Sequence, residues 1–250
     1  MSFMRLTSPP GSDRSWQFDA IVCILFLAAL IAWDISGFDL PLVRMYADAS
    51  GFALRDDSIM KVVFHEGGRK LTAVVMILLL INIWWPVSFT RQLTRRARIW
   101  WFFASLTCLL IAPSLKQLSL TSCPWSLVEF GGTATYLSHW ALGQRDGGSG
   151  GCFPSGHAAG AFCFFAGWFI LRSRAPRAAN WWLAITLVAG FIFGWSQMMR
   201  GAHYVSHFLW TAWFCLTLTA LLYHLSVKWI STTPPSKKSD RAVQSPHEEK

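Results

Sequence analysis

Six long apolar runs constrain this chain more than any other feature. They fall at about residues 18–37, 71–89, 98–115, 157–172, 179–199 and 204–228. Each is close to the roughly 20 residues a helix needs to cross about 30 Å of hydrocarbon. Backbone polar groups in hydrocarbon must be satisfied within their own segment, so such runs predict helices. The chain is 53% hydrophobic and 14% charged, too little polar surface to cover six such helices in water. The expectation is an all-α, polytopic membrane protein, a six-transmembrane-helix bundle. The first run is long for a cleaved signal peptide and lacks a small-residue cleavage site.

The net charge of +9 does not point to nucleic acid, because the basic residues cluster at the ends of apolar runs. Arg91, Arg95, Arg96 and Arg98 separate the second and third runs. Arg172, Arg174 and Arg177 separate the fourth and fifth, and Lys237, Lys238, Arg241 and Lys250 come after the sixth. The positive-inside rule places all of these in the cytoplasm, with both termini. Trp84-Trp85, Trp100-Trp101 and Trp181-Trp182 fall at that same interface, as an aromatic belt does. Residues 1–17 read as a short flexible cytoplasmic tail, 18–230 as the membrane domain and 231–250 as a disordered cytoplasmic tail. Loops 38–70, 116–156 and 200–203 then share the outer side.

Several outer features have two readings. Asp34 is an interfacial charge or part of a polar site. Lys61, His65 and Arg69 fall on one helical face, either a solvated juxtamembrane surface or a headgroup-binding edge. Gly147-Gly148-Ser149-Gly150-Gly151 reads as a flexible lead into the fourth apolar run. Cys23, Cys108, Cys163 and Cys215 lie within runs and read as packing residues. Cys123 and Cys152 share one outer loop, where an oxidising compartment permits a disulfide, and they are expected to pair.

Just after Cys152 stands Pro154-Ser155-Gly156-His157, at the start of the fourth run. Proline suits a helix start, serine caps, and glycine lets backbone approach a ligand. The exposed N–H groups and dipole of a helix N-terminus favour an anion, and His157 adds a titratable group. Two further outer stretches face it. One is Lys116 with Cys123-Pro124; the other runs from Ser196-Gln197 through Arg200 and His203 to His207.

In this order and spacing the three stretches resemble the type 2 phosphatidic acid phosphatase superfamily of integral membrane phosphatases. Its pattern is Lys, six residues, Arg-Pro; then Pro-Ser-Gly-His; then Ser-Arg, five residues, His, three residues, Asp. The second motif matches fully. Cys123 replaces the first arginine, Gln197 the second, and His207 the aspartate. The resemblance covers roughly residues 98–225. It implies six helices with the active site at the outer membrane face and hydrolysis of a phosphorylated membrane lipid, with no metal or other cofactor. In it His203 is the nucleophile that becomes phosphohistidine, and His157 protonates the leaving group. His207 would orient His203, while Lys116, Ser155, Gly156 and Arg200 would hold the phosphate. The location expected is a bacterial cytoplasmic (inner) membrane, with the site periplasmic or extracellular. A phosphotransferase using the same site, a non-catalytic phospholipid-binding protein and a zinc site on His157, His203 and His207 are the competing readings.

Overall fold

A computed structural model describes residues 13–231 of the chain. The expected tails therefore lie largely outside the described residues, although the first helix already begins at Asp13. The structure is mostly helical. In chain order the helices are α1 (Asp13–Ser36), α2 (Asp39–Arg44), α3 (Gly68–Asn82), α4 (Arg95–Lys116), α5 (Gly156–Phe162), α6 (Phe165–Leu171), α7 (Pro176–Met199) and α8 (Val205–Ser231). One small antiparallel hairpin, β1 (Ala47–Asp48) and β2 (Gly51–Phe52), lies between α2 and α3.

Four helices, α1, α4, α7 and α8, are long and apolar enough to cross a membrane. The second and fourth runs depart from the six-span expectation. α3 has 15 residues, about 22 Å at the usual rise. A π-helical segment, Met60–Gly67, leads directly into it. It stops at Asn82, whose side-chain oxygen accepts from Val87 N and Thr90 Oγ1 and so folds the chain back. The fourth run breaks after seven residues into α5 and α6. At the break the Phe164 carbonyl accepts from the Trp182 indole of α7 at 2.7 Å. The same carbonyl also accepts from Gly167 N at 3.0 Å, so a tertiary donor and the first turn of α6 share it.

The broken pair α5–α6 is the most buried part of the bundle. Ala158 through Phe165 lie in the interior, enclosed by α4, α7 and α8. The outer faces are apolar as well: Ile24, Leu25, Leu78, Trp181 and Val188 are all more than half exposed. An apolar face of this extent suits a helix solvated by lipid.

The two ends of the bundle differ. At one end Arg172 makes paired 2.7 Å bonds to Asp19, which His224 also meets at 2.8 Å. Arg98 caps the Leu93 and Ile83 carbonyls nearby in sequence. At the other end the segments 37–59, 117–155 and 200–204 interlock. Arg44 pairs with Glu129, Trp125 N donates to Gly201 O, and the Cys123–Cys152 disulfide joins the two ends of the longest loop. The glycine-rich lead into α5 is held rather than loose. Buried Asp146 accepts from Ser122 and Gly148 N, and Gly150 and Gly151 donate to Ser122 Oγ and Ser119 O.

Candidate active site

The start of α5 is fixed from two directions. Ser155 is the N-cap, its hydroxyl accepting from Ala158 N. Its own N–H donates to Thr211 Oγ1 at 3.0 Å and approaches His207 O at 3.3 Å, both on α8. The Pro154-Ser155-Gly156-His157 turn is thereby locked against the first turns of α8. No atom lies within 4 Å of where a Gly156 Cβ would project, so this backbone borders open space.

The link from α7 to α8 depends on a second glycine. Gly201 has φ +74, and a Cβ there would lie 2.5 Å from the Phe52 ring. The left-handed turn lets its carbonyl accept from Trp125 and sends the chain into His203.

His203 is only 2% exposed. Its Nδ1 faces His207 Nδ1 at 3.4 Å, a separation that one N–H can bridge when the partner nitrogen is the acceptor. Burial holds the His203 imidazole well below its usual range, and the charges of Lys116 and His157 push the same way. A neutral ring with Nδ1 committed to His207 leaves the Nε2 lone pair for chemistry.

His157 lies on the other side of the turn. Its Nε2 is buried without a hydrogen-bond partner. Its ring packs on His65 with centroids 4.2 Å apart. Arg200 donates from Nε to the Arg55 carbonyl at 3.1 Å and from Nη1 to Gln197 Oε1 at 3.2 Å. Gln197, where the resemblance has arginine, thus serves as an acceptor that orients Arg200. Burial, then the Arg200 charge, lower the pKa of His65.

A cleft of about 650 Å³ opens from this end between α3, α4 and α5. Lys116, Arg69, Gly156 and His157 form its polar end, and Leu80, Phe102 and Leu106 are among its apolar walls. His65 and Arg69, two of the three residues on the predicted helical face, therefore border the site. Lys61 instead pairs with Asp56 at 2.7 Å.

All seven expected site residues, Lys116, Ser155, Gly156, His157, Arg200, His203 and His207, lie at this one end. Cys123 and Cys152 form a disulfide beside them, with Cys152 Sγ 3.8 Å from His203 Nδ1. The expected zinc alternative finds no support in this geometry. Among the described residues, His157, His203 and His207 do not gather their nitrogens around one point. His139 was not singled out by sequence. It comes from the long loop, packs against His207 with centroids 5.3 Å apart and stacks on Phe153. No local spacing signals it, because the loop places it.

Comparison with known proteins gives one family match: the model of the PAP2 superfamily covers residues 98–231. No curated protein and no solved structure matches the chain.

Proposed function

The chain belongs to the PAP2 superfamily, whose members are phosphatases, and on that premise we propose that it is an integral membrane enzyme hydrolysing a lipid phosphate or pyrophosphate through a phosphohistidine. The observation that carries this reading is the buried His203–His207 pair next to a cleft whose polar end is formed by Lys116, Arg69, Gly156 and His157.

The steps derive from the residue types. His203 Nε2 attacks phosphorus in line, forming an N–P bond as the P–O bond to the leaving group breaks. His157, protonated in the complex, gives its proton to the departing oxygen. The Nδ1–H of His203 becomes more acidic as its ring gains positive charge, and His207 Nδ1 accepts from it. Lys116, Arg200, the Ser155 hydroxyl and the Gly156 N–H supply charge and donors to the phosphoryl oxygens. Water then attacks phosphorus, neutral His157 takes its proton, and the N–P bond breaks to release phosphate. No step requires a metal ion.

The lipid assignment rests on the cleft. An acyl or prenyl chain can lie along α3 and α4 while its phosphate reaches Lys116 and His157. The outer-face assignment rests on charge. The arginines at 91–98 and 172–177 occupy the end opposite the site, and the Cys123–Cys152 disulfide fits an oxidising compartment.

The purified protein in detergent should release phosphate from at least one member of a panel of phosphatidic acid, phosphatidylglycerol phosphate and undecaprenyl pyrophosphate. Release without any lipid acceptor separates hydrolysis from phosphotransfer. His203→Ala and His157→Ala should each lower the rate about 10³-fold. Full activity in both variants would rule the mechanism out.

A further inference from the structure

A second polar cluster lies beside the phosphate site. Asp34 lies in the last turn of α1, Asp39 begins α2, and His139 comes from the long loop. Each offers one ligand atom, and these atoms lie within 4.8 Å of one another. Asp39 is 6% exposed, and the side chains of His139 and Asp34 are 6% and 13% exposed. Among the described residues, neither carboxylate pairs with a lysine or arginine.

A buried and a half-buried carboxylate this close repel one another without a cation. Apart from His139, which carries charge only when protonated, their hydrogen-bonding neighbours are neutral donors. Asp34 Oδ2 accepts from the Trp140 and Trp210 indoles at 2.7 and 2.8 Å. Asp39 accepts from the Trp33 indole, from Ser206 N and from Ser206 Oγ. Two atoms remain unused: Asp34 Oδ1 and His139 Nε2 are both buried without a hydrogen-bond partner. His139 Nε2 is 3.5 Å from Asp34 Oδ2, close enough for an ion pair when the ring is protonated but without a well-aligned hydrogen bond. With the ring neutral and Nε2 unprotonated, its lone pair among these carboxylates is a ligand atom without a partner.

We propose that Asp34, Asp39 and His139 bind one divalent transition-metal cation of the zinc or manganese class. One imidazole and two carboxylates match the donor preferences of these ions and bring the local charge to zero. The indole and serine bonds are the outer contacts that hold metal-bound carboxylates in place. The ion would be structural. It would pin the loop carrying His139 and Trp140 to α1, α2 and, through Ser206, to the start of α8, one residue from His207. The site takes no part in phosphoryl transfer and does not depend on the phosphatase reading.

Full-length protein in detergent, stripped by a chelator, is dialysed against Zn²⁺ or Mn²⁺ and its metal content measured by mass spectrometry. Wild type should retain one ion per chain, and His139→Ala and Asp34→Asn at least tenfold less. Adding the metal in large excess should raise the melting temperature of stripped wild type by about 5 °C. It should not move that of His139→Gln, which keeps a polar side chain and guards against misfolding in the alanine variant. If wild type retains no ion and shows no thermal shift, the three side chains are a hydrogen-bonded loop anchor and the metal site is overturned. Equal metal content in wild type and both variants would overturn it too.

Discussion

His207 stands where the superfamily pattern carries aspartate, and its Nδ1 faces His203 Nδ1 at 3.4 Å. A neutral imidazole accepts a hydrogen bond as a carboxylate does, but it stabilises the developing imidazolium less. His207→Ala should therefore lower kcat about 10²-fold with little change in KM, and His207→Asp should recover most of the loss. A His207→Ala enzyme with wild-type kcat would remove the residue from the mechanism. His203 also ties folding to pH. Its pKa is lowered by burial, so below about 6.5 the unfolded chain takes up a proton that the folded chain refuses. With more protons bound in the unfolded state, stability rises with pH through that window and this contribution is flat above it. His203→Gln should reduce the slope by up to about 1.4 kcal/mol per pH unit, measured by denaturant unfolding at pH 5.5 to 7.

Among the elements, α5 shows most clearly what local sequence can and cannot dictate. Pro154-Ser155-Gly156-His157 reads correctly as a helix start because proline, cap and dipole are local properties. The break after Phe162 is not legible, since it depends on the Trp182 indole of another helix reaching the Phe164 carbonyl. The early stop of α3 has a local cause, Asn82 accepting from Val87 and Thr90, that a hydropathy count passes over. Gly156 separates stability from function. Alanine has the better helix propensity and its Cβ would meet no atom within 4 Å. Gly156→Ala should melt no lower than wild type, yet lose at least tenfold in kcat/KM, because the methyl occupies the space proposed for the phosphate. Undiminished activity in a well-folded Gly156→Ala protein would show that the phosphate binds elsewhere.

At the scale of the whole molecule, the apolar runs were legible and four of them are helices of membrane-crossing length. Motif order along the chain was legible too, and the three motif stretches lie at one end of the bundle. Residues that reach the site from loops were harder. His65 was visible only as one member of a helical face, while His139 and Asp39 gave no signal, because long-range packing alone places them beside His207 and Ser206. The three scales meet in one claim: His203, neutral and held by His207, takes phosphate from a lipid lying in the cleft. The most direct measurement is brief incubation of the enzyme with radiolabelled phosphatidic acid or another accepted lipid phosphate, then alkaline quench and peptide mapping. Acid-labile, alkali-stable label should appear on His203 and be absent from His203→Ala. Turnover with no label on His203, together with unchanged phosphate release by His203→Ala, would contradict the claim.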